Sequence, residues 1–136
     1  CRVAVHATPL SGGDSVDSAA EAARQLARVQ GCVVLVTGET DLATDGQRSL
    51  RIVGGSHLMP QVTAMGCALS ALVAGFVAIA PDQPLAAAVA AAQVFAAAGQ
   101  RAQEQAAGPG SFLPAFLDAL YLLQPADLAL CPATPS

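Results

Sequence analysis

The run Cys32-Val33-Val34-Leu35-Val36 constrains this chain more than any other segment. Five apolar residues, three of them valine, stand in a row between Gly31 and Thr37-Gly38, with no polar residue at alternate positions. A strand that alternates can leave one face wet. One that does not must be covered on both faces, as in a parallel sheet flanked by helices. The preceding segment supplies such a helix. From Asp17, residues Ala22, Ala23, Leu26 and either Val29 or Ala27 recur at helical spacing. Ser18 and Glu21 form a capping-box pattern, and Gly31 stops the helix. Helix and strand together make half of a βαβ unit. Val3-Ala4-Val5 reads as a short β-like run, and Pro9 to Gly13 as a loop.

Beyond the strand, Thr37-Gly38-Glu39-Thr40-Asp41 is a polar turn at its carboxyl end, the edge where open α/β sheets bind ligands. Leu42-Ala43-Thr44 and Ser49 to Val53 flank Asp45-Gly46, a hairpin signal, and Gly54-Gly55 closes the second strand. A loop with His57, Met59 and Pro60 then leads into three helices: about Gly66 to Ala80, Leu85 to Ala107, and Phe112 to Leu123 with Ser111 as N-cap. Residues 125–136, with three prolines, read as a tail. Strands alternating with helices, followed by a helix-rich end, indicate an α/β layered fold.

Ala64 to Ala80 is almost wholly apolar, Ser70 being its one hydroxyl residue. It falls short of the ~18 to 20 residues that cross a bilayer and lacks flanking Lys or Arg, so it reads as a buried helix and the protein as not membrane-bound. A net charge of −4, with six basic residues spread thinly, forms no patch for a phosphate backbone and argues against nucleic acid. Only 12% of residues are charged, a composition that fits a surface partly covered by another subunit or by further chain. Cys1, Cys32, Cys67 and Cys131 show no metal-ligand spacing with either histidine and read as free thiols in a reducing cytoplasm. No signal peptide is visible, and Cys at position 1 reads as the start of a fragment, a processed product or an incomplete chain.

The strongest site candidate is Thr63-Ala64-Met65-Gly66-Cys67-Ala68-Leu69-Ser70, where a loop opens into an apolar helix. Unpaired N–H groups at such a terminus, at the positive end of the helix dipole, receive an anion without a basic side chain. Gly66 lets a ligand approach the backbone. Cys67 lies in the same first turn; on local grounds alone, a small buried cysteine is the ordinary reading. His57 reads as a solvated loop residue and Arg101 with Glu104 as a solvated helix face. Glu39 and Asp41 are either nucleotide or metal contacts or plain turn carboxylates. Gly108-Pro109-Gly110 either shapes a pocket or redirects the chain.

The string from Thr63 to Ala71 resembles the Thr-Gly-x-Gly-Cys-x-Leu-Ser-Ala motif of hydroxyethylthiazole kinases. Thr37-Gly38-Glu39-Thr40-Asp41 with Asp45-Gly46 resembles that family's strand end and hairpin. Gly108 to Phe112 with Leu117 to Tyr121 resembles its C-terminal signature, and Ser15-Val16-Asp17-Ser18 its Gly-Val-Asp-Ser element. The four matches are collinear and cover residues 13–124, leaving 1–12 unmatched and 125–136 as the tail.

The resemblance implies a ribokinase-like α/β layered fold, here its C-terminal portion, with the N-terminal half absent. It also implies ATP- and Mg²⁺-dependent phosphorylation of 4-methyl-5-(2-hydroxyethyl)thiazole in thiamine synthesis or salvage, and a homotrimer. Residue by residue, Cys67 implies a group assisting proton loss from the substrate hydroxyl, and the amides from Ala64 to Cys67, Gly66 among them, an anion hole expected to matter more than the thiol. Thr37 implies an ATP contact and Ala64 the substrate-contacting position. The family has glycine where Ala64 stands; if that position requires positive φ, Ala costs about 1 kcal/mol or more. No metal ligand is assigned, since the family's metal-coordinating acids lie N-terminal to this stretch. A non-catalytic remnant of the fold and a kinase of another small alcohol are the alternatives.

Overall fold

The computed structural model describes residues 3–7 and 16–136. The loop Pro9 to Gly13, Cys1, Ser15 and the capping side chain of Ser18 lie outside the described part.

Strand β1 (Val3–Ala7), helix α1 (Val16–Gln30) and strand β2 (Val33–Thr37) complete the expected βαβ unit. β1 and β2 run parallel, Val3 opposite Val33 and Ala7 opposite Thr37. The unalternating run of β2 is buried on both sides, as its composition requires. Cys32 and Val34 meet Ala20, Ala23 and Ala27 of α1, whereas Val33 and Leu35 join the larger core on the opposite face.

Strands β3 (Thr40–Thr44) and β4 (Ser49–Val53) follow as an antiparallel hairpin. Its four-residue loop is tied by Asp45, whose Oδ1 accepts the N–H groups of Gln47 and Arg48 at 2.9 and 2.7 Å. Burial opposes ionisation of Asp45, but these bonds and the Arg48 guanidinium hold its carboxyl below the usual range. Beneath the loop Thr44, fully buried, donates to Arg48 C=O at 2.8 Å and accepts from Gly46 N–H at 3.0 Å. A buried hydroxyl satisfied in both roles carries no desolvation penalty to speak of.

The other face of the sheet is covered by three helices: α2 (Met65–Ile79), α3 (Pro84–Gln105) and α4 (Pro109–Leu122). Helix α3 crosses β2, β3 and β4, with α2 on one flank and α4 on the other; α2 also touches β1. Alanine explains how α3 serves so many neighbours. Ala88, Ala91, Ala97, Ala98 and Ala102 are all essentially inaccessible to solvent, and a methyl group lets backbones approach closely on several sides. The bulk that alanine lacks comes from Phe95, Phe112 and Phe116, packed edge-to-face at 4.8 Å and stacked at 5.9 Å.

Three expectations change. The last helix begins at Pro109, earlier than the sequence reading, and Ser111 lies inside it, its Oγ accepting Ala107 N–H at 2.9 Å. Proline is suited to a first helical position because its missing N–H has no partner there anyway. Arg101 is not a solvated residue: it is half-buried and bonds Asp127 Oδ1 at 2.5 Å. The segment after Gln124 is folded, with a 3₁₀ turn at Pro125–Leu130 and strand β5 (Ala133–Pro135) on β4. The sheet order is therefore β1-β2-β3-β4-β5. Between its last two strands and α3 sits Cys131, fully buried. Its thiol contacts Gln100 Oε1 at 3.5 Å and its C=O accepts from Gln93 Nε2 at 2.9 Å. Gly54, at φ 140°, has no room for a Cβ against this sulfur.

Candidate active site

Helix α2 turns one stripe to the core. Met65, Leu69 and Val73, four residues apart, are buried. Cys67 is two residues from Met65, about 200° further round the helix axis, and stands exposed. Its exposure overturns the local reading of Cys67 as a small buried cysteine. Ala64, Gly66 and Ser70 are exposed as well.

The entrance to α2 is built from the loop before it. Leu58 is buried, Met59 packs towards Gly99 and Gly55, and Ser56 Oγ accepts Leu58 N–H at 3.1 Å. Residues Met59–Gln61 form a 3₁₀ turn, and Ala64 then enters the left-handed region at φ 69°, ψ 9°. The condition attached to Ala64 is met: a residue with a Cβ adopts a backbone conformation that favours glycine. No side chain caps α2, while Ala64 C=O accepts Ala68 N–H at 3.0 Å. Among the described residues, no side chain bonds the first-turn amides of α2, at an exposed terminus. Gly66 has open space where a Cβ would stand. Ser70 is committed locally, its hydroxyl donating to Gly66 C=O at 2.9 Å.

Thr37 ends β2 and is half-buried, followed by exposed Gly38 and Glu39. Ala64, Gly66 and Cys67 share one helix terminus; Thr37 belongs to a separate element, the carboxyl end of the sheet's second strand. Asp41, on β3, was open between two readings. Its Oδ1 accepts Gly38 N–H at 3.0 Å. Burial pushes its carboxyl up to about 6, the Gly38 bond working against that rise. The Cys131 thiol is pushed up too, first by burial and also by the Asp41 charge, with Gly55 N–H opposing. His57 is exposed. Gly108 is extended and Phe112 wholly buried, so the Gly108–Phe112 motif turns the chain from α3 into α4.

Along β1 and α2 lies an open groove of about 510 Å³ lined by Val3, Val5, Ser70, Val73, Ala74, Val77, Ala78 and Pro81. Among the described residues no three His, Cys, Asp or Glu side chains converge on a point that could hold a metal ion. No described helix is long and apolar enough to cross a membrane. Cys32, Cys67 and Cys131 are free.

A model of the hydroxyethylthiazole kinase family matches residues 2–126. The chain belongs to this family. It is 57% identical over 110 residues to a hydroxyethylthiazole kinase of Rhizobium rhizogenes, a match covering 81% of this chain and 41% of that protein. It is 52% identical over 120 residues to one of Serratia proteamaculans, covering 86% and 45%. The structure of the hydroxyethylthiazole kinase from Pyrococcus horikoshii superposes with a TM-score of 0.83 at 31% identity, over 88% of this chain and 47% of that one. The sheet and helices described above are accordingly those of the hydroxyethylthiazole kinase fold. The chain spans less than half the length of the curated relatives it matches.

Proposed function

We propose that this chain is the C-terminal half of an ATP-dependent kinase of 4-methyl-5-(2-hydroxyethyl)thiazole, acting in the cytoplasm in thiamine synthesis or salvage. The observation that carries this reading, within the family, is the exposed, uncapped N-terminus of α2, entered through left-handed Ala64 and followed by Gly66 and Cys67. Phosphoryl transfer depends mainly on positioning and on stabilising charge at the transferring group. The α2 amides supply donors for that charge, strengthened by the helix dipole. Open space at Gly66 lets a phosphate oxygen reach them. Cys67, exposed one residue on, is placed to accept the proton that the substrate hydroxyl loses. Ala64 borders the thiazole alcohol and Thr37 contacts ATP. The described residues do not assemble a Mg²⁺ site, so no step is assigned through the metal.

The complete enzyme acts as a homotrimer. Leu113, Leu117 and Tyr121, successive residues on one stripe of α4, are 43%, 57% and 89% exposed, which suits coverage by another subunit. Joining this chain to the region that its relatives carry in addition should yield ATP consumption dependent on the thiazole alcohol. Consumption that is absent, or equal with any small alcohol, would remove the assignment. A non-catalytic module of the same fold is the second reading. It predicts inactivity even after that completion.

A further inference from the structure

We propose that Asp41 is a positioning residue for the strand end that carries Thr37: its carboxylate grips Gly38 N–H and holds the turn through which Thr37 faces a nucleotide. This rests on the reading of Thr37 as a nucleotide contact. The pairing of β2 with β3 places Val36 opposite Leu42 and Leu35 opposite Ala43. Continuing that register by one residue sets Thr37 across from Asp41, on the same face of the sheet. The loop between β2 and β3 is Gly38 and Glu39, both exposed. Among the described residues, the bond from Gly38 N–H to Asp41 Oδ1, 3.0 Å, is the side-chain tie to this turn, whose two residues bury no side chain. Asp41 itself is anchored: its strand neighbours Leu42 and Ala43 are buried on opposite faces, so the carboxylate is offered from a rigid support. Its burial, which pushes the carboxyl up to about 6, is tolerated for a bond that an Asn could also make.

The test compares the chain with its Asp41→Asn and Asp41→Ala variants by amide exchange and by amide shifts on adding ATP. Asn keeps the acceptor; Ala removes it. Gly38 should exchange about tenfold faster in the Ala variant and near the original rate in the Asn variant, Glu39 changing in neither. ATP should shift the Thr37 and Gly38 amides of the original and Asn chains, and bind the Ala chain about tenfold more weakly. Unchanged Gly38 exchange on Ala substitution overturns the proposal. If the Ala variant does not fold, the original chain decides: Gly38 must be more protected than Glu39, and equal exchange overturns it. If ATP moves no amide of the original chain, the nucleotide reading of Thr37 falls, while Gly38 exchange still decides whether Asp41 holds the turn.

Discussion

At the residue scale the most informative positions are those where the backbone or a side chain is held against its own preference. Ala64 sits at φ 69° without the freedom of glycine. Replacing it by Gly should stabilise the fold by about 0.5–1 kcal/mol, since relief of the left-handed penalty outweighs the added freedom of the unfolded chain; urea denaturation measures it. Cys67 lies on the exposed side of α2, so Cys67→Ser should leave the melting temperature unchanged while lowering turnover of the completed enzyme by about tenfold or more. Gly66→Val should abolish phosphate binding instead, because its side chain fills the space through which an anion reaches the amides. Asp41 gives a pH signature. Its folded carboxyl titrates at about 6 against 3.8 ordinarily, so the folded chain binds the proton more tightly than the unfolded one. The contribution to stability is fully present below pH 3.8 and is lost as pH rises through 6, amounting to about 3 kcal/mol at most. Asp41→Asn should flatten this part of the profile; melting curves between pH 4 and 7 that stay parallel for the two proteins would contradict it.

Among the elements, α2 and the C-terminal segment show how much of the fold was legible beforehand. The helix was readable from its apolar length, and the period of four in Met65, Leu69 and Val73 was present in the sequence. Which side would face water was not, because nearly every α2 residue is apolar and the pattern carries no contrast. The C-terminal segment was misread for a related reason. Its prolines suggest a loose end, yet Asp127 gathers Arg101 at 2.5 Å and Gln124 N–H at 2.7 Å and so closes the 3₁₀ turn onto α3. The partner that ties the turn to α3 is not a local sequence signal: Arg101 is 26 residues away. Asp127→Ala should cost about 1–3 kcal/mol and expose residues 124–136 to protease before the rest of the chain. Cleavage no faster than in the original chain would show that β5 and Cys131 hold the segment by themselves.

For the whole molecule the consequential feature is the sheet's outer edge at β1. Among the described residues, the order β1-β2-β3-β4-β5 leaves one side of β1 without a strand partner, beside the apolar groove it forms with α2. Such an edge pairs readily with another chain, so the isolated chain should self-associate in light scattering, and a monodisperse monomer would count against this. The sequence by itself determined the βαβ opening, the hairpin at Asp45-Gly46, the three helices and the family motifs, since each is written in neighbours whose conformational preferences and spacing act locally. Only the tertiary structure decided that Cys67 faces solvent, that Ala64 is strained, that Asp41 is half-buried within reach of Cys131, and that the last residues become a strand. Those outcomes depend on which distant segments meet, and burial shifts a polar group's energy by amounts that no adjacent residue encodes.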